Sequence, residues 1–150
     1  MSKVGQKIRL SAMNFLARRE HSYKEIIFKL RKRFEDSDDL IIEEVDRLRS
    51  EGLQSDHRMA SEYIHFRSKK GAGPKKIRSE LRVKGISDSL IEQVFVESGV
   101  DWGVVLESVI EKKMSQSGFA FDTLETKHKV MTFLQKRGFE PDQIRNFIRQ

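Results

Sequence analysis

The chain has 150 residues, of which 37% are hydrophobic and 35% charged, and its net charge is +6 at pH 7. It contains no cysteine, which excludes disulfide bonds, cysteine-ligated metal centres and thiol nucleophiles. No apolar stretch is long enough for a signal peptide or a membrane span, so we expect a cytoplasmic protein without a membrane partner.

Apolar residues recur at helical spacing along the chain, whereas the alternating pattern of strands is hard to find. In the first third, Ser22 is followed by Glu25 at the spacing of a capping box, which predicts the start of a helix. Asp38 or Asp39 is predicted to cap the next helix, and Gly52 to end it. With one helix before Ser22, these signals predict a group of three.

The helical pattern begins again in the middle third. Asp56 is predicted to cap the fourth helix, and Ser87 the sixth. Between them, Gly71 and Gly73 are predicted to supply the left-handed conformations of a helix stop, and Pro74 to begin a helix where its missing N–H costs nothing. A phosphate-binding turn is the alternative here, but the pattern of a nucleotide-binding loop is absent.

A third group of helices follows. Asp101 is predicted to cap the seventh helix, and residues 115–122 are predicted to form a loop. The eighth helix is predicted to end at Gly138, and the ninth to begin at Pro141.

The three groups share an internal repeat of about 50 residues. One constant shift aligns Ile26 with Ile77, and a similar shift aligns Gly85 with Gly138. We therefore predict an all-α fold of three tandem three-helix repeats that form an elongated, curved array. The predicted repeats are residues 1–54, 55–100 and 101–150.

Two segments carry a resemblance to a known family. The segment AMNFLARREHSYKEIIFKL at 12–30 and the segment GLQSDHRMASEYIHFRSKKGAGPKKIRSELRVKGI at 52–86 resemble the distinctive motifs of RecX proteins. The resemblance extends over nearly the whole chain and is weaker in the third repeat. One departure from the family pattern is Ala72, because the family often has an aromatic residue between the glycines that correspond to Gly71 and Gly73.

The resemblance implies a function as well as a fold. RecX proteins modulate the RecA recombinase: they bind its filament on DNA, lie along the filament groove, and lower strand exchange, ATPase and co-protease activity. By this resemblance we expect a monomeric, non-enzymatic regulator of recombination, DNA repair and the SOS response that needs no cofactor. The expected partners are the recombinase filament and, weakly and without sequence specificity, single- or double-stranded DNA.

Basic residues are concentrated in two clusters at equivalent places in the first two repeats. A basic stripe along an extended body would suit a filament of protein and DNA. The alternative is that these side chains form ordinary solvated helix faces, in part through ion pairs within one helix. The candidate binding residues are Arg18, Arg19, Arg31, Lys32 and Arg33 in the first basic cluster and Arg67, Lys69, Lys70, Lys75, Lys76 and Arg78 in the second basic cluster.

A stand-alone DNA-binding helical module is the second function that the basic clusters support. Its helices have few Asn or Gln side chains to read bases, so we expect salt-sensitive, non-specific binding. No nucleophile elbow, metal-ligand set or phosphate loop is present, which argues against an enzyme or a metal site.

Three aromatic residues and an acidic block complete the sequence predictions. Tyr63, Phe66 and Trp102 are predicted to lie in the core, with base stacking as the alternative for an aromatic ring beside Arg67. The acidic block at 35–46 is interpreted as a solvated turn that also places favourable charge at a helix N-terminus. The alternative is a contact with a basic protein surface or a guard against random DNA binding.

Overall fold

The structure is a computed structural model that describes residues 2–117 and 123–149. Within these ranges the chain is all-α, with nine helices and no strand, which confirms the predicted fold class. The helices are α1 (Lys3–Arg18), α2 (Tyr23–Arg33), α3 (Asp38–Ser50), α4 (Asp56–Lys69), α5 (Pro74–Val83), α6 (Asp88–Glu97), α7 (Trp102–Ser117), α8 (Leu124–Lys136) and α9 (Pro141–Arg149).

Most helix starts lie where the sequence predicts them. The capping box at α2 is complete, because the Ser22 hydroxyl accepts from the Glu25 N–H and the Glu25 carboxylate accepts from the Ser22 N–H. Pro74 and Pro141 are the first residues of α5 and α9. Asp101 accepts from two N–H groups of the first turn of α7.

Two predicted caps are wrong by one residue. α3 begins at Asp38 itself, with Ser37 as its N-cap, so Asp38 and Asp39 lie in the first turn and favour the helix through their charge. α4 begins at Asp56, and the Ser55 hydroxyl accepts from the N–H of the third residue of the helix. The Asp56 carboxylate instead accepts from the Tyr23 N–H at 2.8 Å, which explains why it does not cap its own helix.

The predicted loop at 115–122 is wrong at its start. α7 continues to Ser117, and the remaining residues of that loop, 118–122, lie outside the described residues. The helix extends because its apolar face extends: Met114 packs against the same buried cluster as Val109 and Ile110.

The chain divides into two compact units, Met1–Glu62 with Leu81–Val94, and Tyr63–Glu80 with Phe95–Gln150. In unit 1, α1, α2 and α3 pack on one another around a buried aliphatic core, in which each fully buried side chain contributes about 1.5–3 kcal/mol. In unit 2, α9 packs on α7 and α8. The core of unit 1 includes Ile8, Ala12, Ile26, Leu30, Ile41, Val45 and Leu48, and that of unit 2 includes Leu106, Val109, Ile110, Val130, Leu134, Phe139 and Ile144.

The aromatic residues that the sequence assigns to the core are more exposed than predicted. Phe66 is 58% exposed, so its assignment to the core is wrong. The buried face of α4 includes Ile64, and a residue two positions further on a helix points to the opposite side. Tyr63 and Trp102 are half-buried, and Trp102 stacks on Phe95 with the ring centroids 5.7 Å apart.

Candidate nucleic-acid and protein interface

The first basic cluster lies in unit 1 and is largely engaged within the fold. Arg19 forms an ion pair with Glu25 at 3.0 Å, and Arg31 forms one with Asp38 at 3.3 Å. The Arg33 guanidinium donates to the Ser11 hydroxyl and lies over the Phe15 ring, and the Lys32 ammonium lies over the Phe28 ring at 4.4 Å. Arg18 is exposed and has no ion pair with a described residue. The two arginines in ion pairs, Arg19 and Arg31, therefore contribute less field to the surface than unpaired cations would.

Glu25 shows how tightly this pairing is built. Burial would raise the pKa of its carboxyl group, but hydrogen bonds from Arg19 and the Ser22 N–H, with the charges of Lys84 and Arg19, lower the pKa to about 2. Glu25 therefore stays ionised and forms ion pairs with Arg19 and Lys84 within unit 1.

His21 is a buried histidine within the same region. Its Nδ1 lies 3.0 Å from the Arg19 carbonyl oxygen, and its Nε2 lies 2.8 Å from the Lys29 ammonium. Because a carbonyl only accepts and an ammonium only donates, we assign the neutral tautomer with the proton on Nδ1. Burial lowers the pKa of His21, and the charges of Arg19 and Lys29 lower it further.

Two members of the second basic cluster are also structural. Arg67 forms two hydrogen bonds with the Glu80 carboxylate, at 3.0 and 3.1 Å, and this pair joins α4 to α5. The hydrogen bond from Arg67 to Glu80 raises the pKa of the guanidinium. Arg78 lies over the Phe95 ring at 4.2 Å. By contrast, the other four members of the cluster are exposed: Lys69, Lys70, Lys75 and Lys76.

The predicted turn after α4 has a second task in unit 2. Gly71 has a φ of +87°, as a helix stop requires, but Gly73 is not in the left-handed region. A Cβ on Gly73 would lie 2.7 Å from the Phe139 N, so this residue is glycine because another backbone approaches it. The Gly73 N–H donates to the Arg137 carbonyl at 2.6 Å, and the Lys75 N–H donates to the Gly138 carbonyl at 3.0 Å.

This pairing of two turns brings the end of α4 to the end of α8. The Arg137 guanidinium donates to the Lys70 carbonyl at 3.2 Å and lies 5.1 Å from the centre of the Phe133 ring. The Lys113 ammonium lies 4.6 Å from the centre of the same ring. Cations from α7 and from the ends of α4 and α8 therefore lie close together.

They line a cleft of about 430 Å³, which we call the basic cleft. Among the described residues that line it there is no carboxylate, and the uncharged polar groups are hydroxyls and an amide. A concave surface lined by charges of one sign concentrates the field and attracts an anionic partner. The cations are Lys69, Lys70, Lys112, Lys113 and Arg137, and the polar neighbours are Ser68, Ser108 and Gln116.

A wider depression of unit 2 contains the remaining lysines of the second basic cluster. Lys75 and Lys76 line it with Lys136, and its carboxylate is Glu80, which Arg67 already binds. The sequence reasoning thus identified Lys69, Lys70, Lys75 and Lys76 but missed the partners that the third group of helices supplies. The adjacent pair Lys112–Lys113 was the available signal.

Among the described residues, no group of three or more histidine, aspartate or glutamate side chains is arranged to hold a metal ion. No helix within residues 2–117 and 123–149 is long and apolar enough to cross a bilayer.

Two segments of the chain match models of known protein families. A family model described as the second three-helix domain of RecX matches residues 55–94, and one described as the third three-helix domain of RecX matches residues 105–148. Regulatory protein RecX of Pseudomonas putida (strain GB-1) is 42% identical over 137 residues, which cover 91% of this chain and 86% of that protein. Regulatory protein RecX of Halorhodospira halophila is 34% identical over 148 residues, which cover 97% and 90%.

A solved structure has a similar fold. The crystal structure of RecX from Lactobacillus salivarius superposes with a TM-score of 0.80 at 26% identity, covering 97% of this chain and 94% of that chain. A second crystal structure of a regulatory protein RecX gives a TM-score of 0.81 over 97% of this chain and 72% of that chain.

Proposed function

The chain belongs to the RecX family, and from this premise we propose that it is a non-enzymatic regulator that binds a RecA–DNA filament and lowers recombinase, ATPase and co-protease activity. The observation that carries the proposal is the similarity to proteins named Regulatory protein RecX over about nine-tenths of the chain. The same premise supports a cytoplasmic monomer that acts in recombination and DNA repair.

The exposed cations of unit 2 are the surface that we assign to this task. The basic cleft and the nearby Lys75 and Lys76 present ammonium and guanidinium groups to a polyanionic partner. A DNA–protein filament offers both phosphates and acidic side chains, and binding in its groove would exclude incoming duplex or substrate proteins. A bound regulator that prefers one filament state also shifts the filament toward that state.

The test is the DNA-dependent ATPase of a RecA-type recombinase on single-stranded DNA, titrated with this protein. Half-inhibition well below one copy per recombinase monomer is the expected result, because a regulator of the assembled filament acts on many subunits at once. An unchanged ATPase rate at saturating protein would overturn the proposal.

A matched pair of variants links inhibition to the cleft. Lys69→Glu/Lys70→Glu reverses two cations of the basic cleft, whereas Lys3→Glu/Lys7→Glu makes the same change of charge at exposed positions of α1. We expect only the first variant to lose inhibition. Equal loss in both would mean that net charge, and not the cleft, is responsible.

The second candidate function is a DNA-binding module that acts without a recombinase. A cleft whose described lining has five cations and no carboxylate favours it. In that case the protein would bind DNA of any sequence, with an affinity that falls steeply with salt, and it would leave the ATPase of the filament unchanged.

A further inference from the structure

We propose that the basic cleft binds single-stranded nucleic acid, with its cations on the phosphates and the exposed ring of Phe66 stacked on an adjacent base. This inference rests on the proposed function, since it names the form of partner that the same surface takes. It adds an aromatic contact and a preference for single strands.

The cations of the basic cleft are suited to bind phosphate groups. Lys69 and Lys112 are exposed and form no ion pair with a described residue. Arg137 is held in place by its bond to the Lys70 carbonyl and by the Phe133 ring, and it also lacks an ion pair with a described carboxylate. A guanidinium that is oriented but unpaired is suited to bind a phosphate through two hydrogen bonds.

Phe66 lies close to a lysine of the basic cleft. Its side chain is 58% exposed on α4, and the Lys70 ammonium lies 5.7 Å from the centre of its ring. Lys70 also lines the basic cleft, so the ring stands beside the cleft within unit 2. A strand with a phosphate at Lys70 would therefore have a base within reach of the ring.

A single strand fits the ring and the cleft better than a duplex or an acidic protein segment does. Proteins that bind single strands without sequence preference combine a positively charged groove with exposed aromatic rings, because every base has a face that can stack. In a duplex the base faces are already stacked and cannot reach Phe66. An acidic protein segment would use the cations but has no need of the exposed ring, so the juxtaposition of ring and cleft favours a single strand.

The experiment measures binding of a fluorescent oligothymidylate to the full-length protein without recombinase, with a duplex of equal length as the comparison. Phe66→Ala is expected to lower single-strand affinity about 5- to 150-fold and to leave duplex affinity nearly unchanged. Phe28→Ala is the matched control, because Phe28 is 59% exposed in unit 1 and also has a lysine ammonium over its ring. The control should bind as the unmodified protein does.

A second pair of variants tests the phosphates. Lys69→Gln/Lys112→Gln should lower affinity and reduce the slope of log affinity against log salt by about 1.4, since each lost phosphate contact removes ~0.7 for a single strand. Lys3→Gln/Lys7→Gln should leave that slope unchanged. Circular dichroism and the Tm of each variant show whether it is folded.

Three results would overturn the inference. They are a wild-type protein that does not bind oligothymidylate at low salt, equal losses in Phe66→Ala and Phe28→Ala, and an acidic peptide that competes as well as the oligonucleotide at equal charge. The last result would assign the cleft to an acidic protein segment. Because no recombinase is present, these outcomes are independent of the ATPase titration: normal oligonucleotide binding with no ATPase inhibition would reject the proposed function but not the cleft.

Discussion

The first basic cluster and the basic cleft each contain five cations, yet their surroundings differ. In unit 1, carboxylates of Glu25 and Asp38 lie within ion-pair distance of Arg19 and Arg31. In unit 2, no carboxylate is among the described residues that line the cleft, and its cations include Lys113 and Arg137, which lie against an aromatic ring. Arg137 also donates to a backbone carbonyl.

The difference shows that the density of basic residues along the sequence does not predict an electropositive surface. A carboxylate at contact distance cancels most of the field of a cation, whereas several cations around a concavity reinforce one another. From the position of the acids we therefore propose that the cleft, and not the first basic cluster, attracts an anionic partner.

The largest expected effect comes from removing the turn pairing that builds the cleft. Gly138 has a φ of +101°, and a Cβ there would lie 2.6 Å from the Lys76 N. Gly138→Ala therefore adds both backbone strain and a clash, and we expect a loss of about 2–5 kcal/mol in the free energy of unfolding. Denaturant unfolding measures it, and oligonucleotide binding should be lost with it.

Gly52→Ala is the control for this change. Gly52 also has a positive φ, +78°, but no atom lies within 4 Å of a Cβ built there. It should lose only the strain contribution, about 1 kcal/mol. Equal losses at Gly52 and Gly138 would contradict the close approach of the two turns.

The second effect compares the two basic regions directly. Lys69→Glu/Lys112→Glu in the cleft and Arg18→Glu/Lys32→Glu in the first basic cluster change the net charge equally. We expect the cleft variant to raise the concentration for half-inhibition of the recombinase ATPase about tenfold or more, and the other variant to change it only slightly. A larger effect from the first basic cluster would reverse the assignment.

The sequence predicted the helices well, because their signals are local. The capping box at Ser22 and the prolines at the start of α5 and α9 act within a few residues of the chain. Phe66 was predicted to be buried because it is apolar. The side of α4 that faces inward carries Ile64, however, and Phe66 lies on the other side.

The cleft was only half predictable, since it depends on contacts between distant parts of the sequence. Lys69 and Lys70 stood out as part of a dense basic segment. Arg137 joins them through the pairing of two turns, which no local pattern reveals, and Lys112 joins them from α7. Likewise, Arg67 was a candidate for binding the filament or DNA, and the sequence did not reveal that Glu80 binds it.

Arg67 provides the third prediction. Because it and Glu80 are each about a quarter exposed and form two hydrogen bonds, we expect a coupling of about 1 kcal/mol in a double-mutant cycle of Arg67→Ala and Glu80→Ala. Chemical denaturation gives the four free energies. If Arg67 contacts the partner instead, Arg67→Ala will reduce ATPase inhibition far more than Glu80→Ala does.

The smallest expected effect is a difference in pH dependence between the two regions. Among the described residues that line the basic cleft, the cations are four lysines and one arginine, and there is no histidine. In unit 1, the pKa of His21 is lowered below its ordinary value of 6.5, chiefly by burial. The unfolded chain therefore binds a proton at His21 before the folded chain does.

The sign of the effect follows from that order of protonation. The contribution of His21 to stability is fully present above pH 6.5 and is lost as the pH falls from 6.5 toward the lower pKa of the folded state. Glu25, with a pKa of about 2, remains ionised throughout this window and does not contribute to the change. Unfolding free energies at pH 7.5 and 5.5 should therefore differ more for the unmodified protein than for His21→Gln. The same pH change should leave the salt slope of oligonucleotide binding constant, because no histidine is among the described residues that line the cleft. A stability difference that persists unchanged in His21→Gln would mean that another group titrates in this window.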